Sequence, residues 1–206
     1  MGGGQLPAWN LSEAVAMSGF RLPWTRPSTL KPSNPMTAHR DARTALKERI
    51  EARRFQLDGA IAARYIVLHH SATRDGKVND WEAIRRYHIE TKGWSDVGYH
   101  AGAELVDGQP RLKIGRPLSQ AGAHAIGFNA DGLGLCCVGN FDQTVPPDAL
   151  WTFLKPVIRE WMEWFFIPTE RVIGHRETYA LRGVEKAKEC PGLFWDMTMF
   201  RAFIAQ

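Results

Sequence analysis

The chain has 206 residues, 44% of them hydrophobic and eight of them tryptophan, which suits one packed domain with an extension and excludes general disorder. Three cysteines are an odd and small number for a disulfide framework, and point to synthesis in a reducing compartment. The formal charge of +4 is unevenly placed: residues 1–64 carry ten Lys/Arg against five Asp/Glu, and residues 65–206 carry sixteen against seventeen.

Residues 1–40 combine Gly2, Gly3 and Gly4 with Pro7, Pro23, Pro27, Pro32 and Pro35, and read as a loosely ordered basic extension. Met1–Phe20 lacks the basic head and apolar core of a secretory signal. No stretch reaches the roughly 18 continuous apolar residues that a membrane span needs. With Trp9 and Trp24 among Arg21, Arg26 and Lys31, the extension is expected to meet anionic envelope polymers, and no nucleic-acid partner is expected. From about Asp41 to Ala63 the composition turns to Ala, Leu, Lys, Glu and Arg without proline, which predicts a helical linker over 41–64.

The main domain, 65–206, alternates strand and helix signals. Tyr65–His69 is a short β-branched run for a buried strand. Asn79 or Asp80 can cap a helix reaching about Thr91. Gly98–Val106 and Leu112–Ile114 form a hairpin through Asp107-Gly108. Leu133–Val138 reads as a central strand, which points Cys136 and Cys137 to opposite faces. Pro147–Phe166 is an amphipathic helix using Leu150, Leu154, Val157 and Trp161, with Pro156 expected to kink it. Val172–Gly174 is a short strand, and Phe194–Ile204 a closing helix. Strands interleaved with helices predict an α/β fold: one central mixed sheet flanked by helices, plus the basic extension.

Two imidazoles and a thiolate fill three tetrahedral positions of Zn2+ and leave the fourth for water. His69 at the end of the first strand, His175 at the end of the last and Cys190 after a loop have that chemistry. The two histidines lie over a hundred residues apart, so spacing alone does not single them out.

The surrounding segments do. YIVLHHSAT (65–73), GWSDVGYH (93–100), GAHAIGFN (122–129), LGLCCVGN (133–140), GHRE (174–177) and KECPG (188–192) occur in the order found in the amidase and peptidoglycan-recognition superfamily. Over about 140 residues the chain resembles most the zinc N-acetylmuramoyl-L-alanine amidases that phages use as endolysins. The resemblance implies peptidoglycan as substrate, His69, His175 and Cys190 as metal ligands, and Tyr99 and Lys188 as catalytic residues. It places His100, His124 and Asn129 along the peptide-binding groove, with His100 alternatively a sheet residue satisfied by backbone. His70, on the opposite strand face from His69, is expected to pack or to support the ligands.

Two departures stand out. His175 and Cys190 are fifteen residues apart, longer than in compact phage enzymes, which predicts an enlarged loop over Thr178–Ala187. Cys136 occupies the strand position where cytoplasmic recycling amidases of the superfamily carry a glutamate. The resemblance leaves three roles open: a lysin made in the cytoplasm and released through a holin, a recycling amidase, or a recognition module that binds wall fragments without cutting them.

Overall fold

The computed structural model describes residues 59–74 and 79–206; the extension and most of the proposed linker lie outside them. Of that linker, residues 59–63 carry no helix. Ile61 donates its backbone N–H to Leu118 and Arg64 donates to Asp131, so the chain enters the domain extended, tied to the sheet's surroundings by backbone hydrogen bonds.

Five strands form one mixed sheet: β1 (Tyr65–His70), β2 (Ala101–Val106), β3 (Gln109–Ile114), β4 (Gly132–Cys137) and β5 (Val172–Gly174), in the order β3-β2-β4-β1-β5. Strand β1 runs parallel to β4 on one side and to β5 on the other, and β2 is parallel to β4 but antiparallel to β3. The hairpin turn is where the sequence puts it: Asp107 and Gly108 both take positive φ, 51° and 75°, as a tight turn between right-twisted strands requires. β3 extends back to Gln109 and includes Pro110, which a strand at the sheet edge tolerates.

Among the described residues four α-helices accompany the sheet: α1 (Trp81–Arg86), α2 (Asp148–Phe165), α3 (His175–Leu181) and α4 (Met197–Ala205). The Asp80 carboxylate caps α1 by accepting from Ala83, and the helix continues to Thr91 as a wider π-turn over Tyr87–Thr91. Helix α2 passes through Pro156 without ending and buries Leu150, Leu154, Ile158 and Trp161. Ile158 continues the Leu150–Leu154 row at the next i+4 step and is fully buried, while Val157 packs half-buried against the same core. The closing helix starts at Met197 instead of Phe194, since Asp196 accepts from the Thr198 and Met199 amides and sets the first turn there.

Alternation along β1 and β4 divides the interior. Ile66, Leu68, Leu133, Leu135 and Cys137 pack with α2 and α4 in the main core. Val67 points the other way, against Ala125, Phe128 and Ile173, while Cys136 joins Trp81, Val97 and Val138. The two cysteines therefore do face opposite sides, each fully buried and unpaired. Among the described residues no helix is long and apolar enough to cross a membrane.

Candidate metal centre

β1 places His69 on the face away from α2 and α4, beside Cys136 of β4 in the sheet register. On the other side Leu68 is paired with Gly174, so the next residue, His175, lies beside His69, with ring centroids 4.7 Å apart. His175 is the first residue of α3 rather than the last of a strand. The predicted loop over Thr178–Ala187 is thus shorter than expected, because Thr178–Leu181 is helical. Thr178 helps by donating its hydroxyl to the His175 carbonyl.

Cys190 reaches the same place from the loop behind. A Cβ on Gly174 would stand 2.6 Å from Cδ of Pro191, so the missing side chain lets the segment after Cys190 lie directly on the end of β5. Cys190 Sγ then sits 3.6 Å from Nδ1 of His69. One ligand atom from each of His69, His175 and Cys190 lies within 4.8 Å of the others. Tetrahedral zinc, with Zn–N near ~2.05 Å and Zn–S near ~2.3 Å, sets N···S at about 3.5 Å. The donor set and its spacing fit that ion, with small inward movement.

The electrostatics suit a cation as well. Burial first, then the neighbouring His124 and His175, holds His69 well below its ordinary pKa. Burial and then Lys188 and Arg182 bring His175 down to about 4. Both imidazoles are therefore neutral, as a metal ligand must be. Burial pushes the Cys190 thiol up to about 12, opposed by a hydrogen bond from the His70 backbone amide and by the positive charge of Lys188. A bound cation supplies the charge that would release that proton.

Tyr99 lies beside this cluster, its ring 5.1 Å from that of His69. Burial and the Cys136 and Cys190 sulfurs push its hydroxyl well above its ordinary pKa, and the hydroxyl donates to Cys136. Asp96 fixes the approach to Tyr99: it accepts from Arg85 and from the Val97 amide at 2.7 and 2.6 Å. Lys188 is exposed at the rim, and its field still reaches His69, His175 and Cys190.

The three residues expected along the groove are placed differently from one another. His100 is only 2% exposed; its Nε2 donates to the Gln120 carbonyl and its Nδ1 accepts from the Gly134 amide, which is the backbone-satisfied alternative. Asn129 turns its side-chain oxygen onto the His124 and Ala125 amides, at 2.8 and 2.9 Å. His124 lies behind His69, with Nδ1 3.0 Å from His69 Nε2 and Nε2 3.0 Å from the Gly132 carbonyl. His70 faces the helix side, accepts from the Phe141 amide and stacks on its ring.

Sequence reasoning passed over Arg176. Its amide donates to the Cys190 carbonyl at 2.7 Å, and its guanidinium donates to the carbonyls of Glu189, Gly192 and Trp195. One residue next to His175 therefore fastens the loop that carries Cys190. Glu177 accepts from the Gly174 amide at 2.7 Å and pairs with Arg201, fixing the start of α3. The GHRE segment held the signal, but only as adjacency to His175.

Replacing Arg176 by Met should leave the fold in place while loosening the Cys190 loop. Zinc affinity, measured by competition with a chromophoric chelator, should fall by about 10- to 100-fold; unchanged affinity would remove Arg176 from this role. The buried neutral imidazoles also fix a pH dependence. His69, His100, His124 and His175 all have lowered pKa values in the fold, whereas unfolded imidazoles titrate near ~6.5. The unfolded chain then binds protons that the fold refuses, so stability present at pH 7 is lost as pH falls from about 6.5 towards 4. Urea midpoints of the metal-free protein should be lower at pH 5 than at pH 7, and a rise on acidification would contradict this.

Comparisons with known proteins bear on the family and the fold. The profile of the family described as N-acetylmuramoyl-L-alanine amidase matches residues 59–193. Peptidoglycan-recognition protein SC2 of Drosophila melanogaster is 28% identical over 134 residues, covering 62% of this chain and 67% of that protein. The endolysin of Escherichia phage T7 is 36% identical over 87 residues, covering 42% of this chain and 55% of the endolysin. Among solved structures, the N-acetylmuramoyl-L-alanine amidase LysC from Clostridium intestinale URNW superposes with a TM-score of 0.57 at 26% identity, covering 70% of this chain and 87% of LysC. The chain belongs to the N-acetylmuramoyl-L-alanine amidase family.

Proposed function

We propose that the protein is a zinc-dependent amidase that hydrolyses the amide joining N-acetylmuramic acid to L-alanine in peptidoglycan, acting as a phage-type lysin on the cell wall. The observation that carries this reading is the convergence of His69, His175 and Cys190 with two neutral imidazoles and one thiol. Three protein donors of this kind leave a coordination position for solvent, as hydrolytic zinc sites require, whereas structural sites use four. The likeness to the phage T7 endolysin supports the lysin role.

His69, His175 and Cys190 would hold the metal. When bound there, zinc lowers the pKa of the attacking water and polarises the scissile carbonyl. Tyr99 keeps its proton at working pH, so its hydroxyl can donate to the substrate carbonyl oxygen or orient the water. The Lys188 ammonium faces the same cluster from the rim and would stabilise negative charge developing on that oxygen. A peptidoglycan-binding module without activity is the competing reading, since the comparisons include recognition proteins.

Digestion of purified cell wall separates the two. Mass spectrometry should show new L-alanine amino termini and intact glycan strands, and a chelator should stop their appearance until zinc is restored. New reducing sugar ends, or binding with no cleavage, would overturn the proposal. Cys190→Ser should reduce turnover by at least about 100-fold with the fold preserved, because the metal loses a soft anionic ligand.

A further inference from the structure

We propose that His124 is a positioning residue that dictates which nitrogen of His69 is presented to the metal, through a relay running from the Gly132 carbonyl to His124 to His69. The inference rests on the metal-site reading above and names a part of it that no ligand-spacing argument supplies.

The direction of each hydrogen bond follows from one fixed end. The Gly132 carbonyl can only accept, so Nε2 of His124, 3.0 Å away, carries a hydrogen and donates it. In the neutral ring Nδ1 is then a bare acceptor. That nitrogen faces Nε2 of His69 at 3.0 Å, a distance that holds a single shared hydrogen, which must come from His69. With its hydrogen on Nε2, His69 has its lone pair on Nδ1. Nδ1 is the atom 3.6 Å from Cys190 Sγ, turned toward the other ligands. A backbone oxygen two residues removed thus decides the tautomer of a metal ligand.

The surroundings hold His124 to this task. A Cβ on Gly134 would come within 2.5 Å of its Cδ2, and one on Gly122 within 2.4 Å, so the ring is seated against two positions that have no side chain. Asn129 fixes the backbone on which the ring stands by accepting from the amides of His124 and Ala125. Gly122, His124 and Asn129 of the GAHAIGFN segment therefore serve a single imidazole. With both nitrogens engaged inside the protein, His124 offers no ring nitrogen to a ligand in the groove.

The test begins with the metal-free wild-type protein, labelled with nitrogen-15 at histidine. Long-range proton–nitrogen correlation spectra should show His69 protonated at Nε2 only; a hydrogen on Nδ1 would overturn the relay whatever any variant does. His124→Phe, which keeps a flat ring but no acceptor, should weaken zinc binding by about 10- to 100-fold in chelator competition and broaden or mix the His69 tautomer pattern. His124→Gln, whose amide can accept from His69 and donate to Gly132, should recover most of the lost affinity. Wild-type affinity in His124→Phe, or a Gln variant no better than Phe, would assign the ring a packing role instead. Failure of the wild type to bind zinc at all would sink the proposed amidase reading, and the tautomer measurement, made without metal, would still report on the relay.

Discussion

The position of β1 at the middle of the parallel part of the sheet is the constraint on which the site depends. Its residues from Ile66 to Leu68 are fully buried, and it is hydrogen-bonded on both edges. Period-two alternation then sends Ile66, Leu68 and His70 to the helical core and Val67 and His69 to the opposite face. A slip of one residue would exchange His69 and His70, taking His69 away from His175 and Cys190 and turning it toward Phe141. The hydrophobic pattern that fixes the fold is therefore also what selects which of the two histidines joins His175 and Cys190. The chain crosses from β4 to β5, on either side of β1, so the strand ends that flank His69 come from distant parts of the sequence, as is usual at ligand-binding edges of α/β sheets.

The site gathers positive and potentially positive groups around buried imidazoles, which cannot all be charged together. Burial removes the charge from His69, His124 and His175, and Lys188 and Arg182 reinforce the effect on His175. His69 and His175 could hold a divalent cation through lone pairs they already have free, whereas Cys190 would have to give up its thiol proton. Tyr99 follows the same logic: burial first, then the Cys136 and Cys190 sulfurs and the hydrogen bond to Cys136, keeps its phenol protonated beside the centre. Where some relatives carry a carboxylate, this chain has a buried neutral thiol, so it contributes no additional negative charge there.

Much of the architecture was legible in local signals. The β1 run, the Asp107-Gly108 turn, the glycine-bounded β4 and the 3.6-residue rhythm of α2 each carry their own instruction, and each element lies where those instructions put it. Boundaries moved where a cap overrode the apolar pattern, as Asp196 does at α4. Helix α3 was missed because its residues, HRETYAL, follow directly on a three-residue strand with no separating turn signal. The metal cluster itself needed the family resemblance, since its members are brought together by sheet register rather than by spacing. Arg176 and the relay through His124 were invisible for a related reason: Arg176 and the far end of the relay are held by backbone carbonyls, which sequence does not distinguish.

Arg201 belongs to the last helix, eight residues beyond the end of the family match, yet it neutralises the carboxylate that caps the helix bearing His175. Arg201 is consequently a remote brace for the helix that starts at His175. Shortening this protein to the matched segment would leave Glu177 half-buried without its counter-charge, so the support of this helix reaches beyond the recognisable stretch.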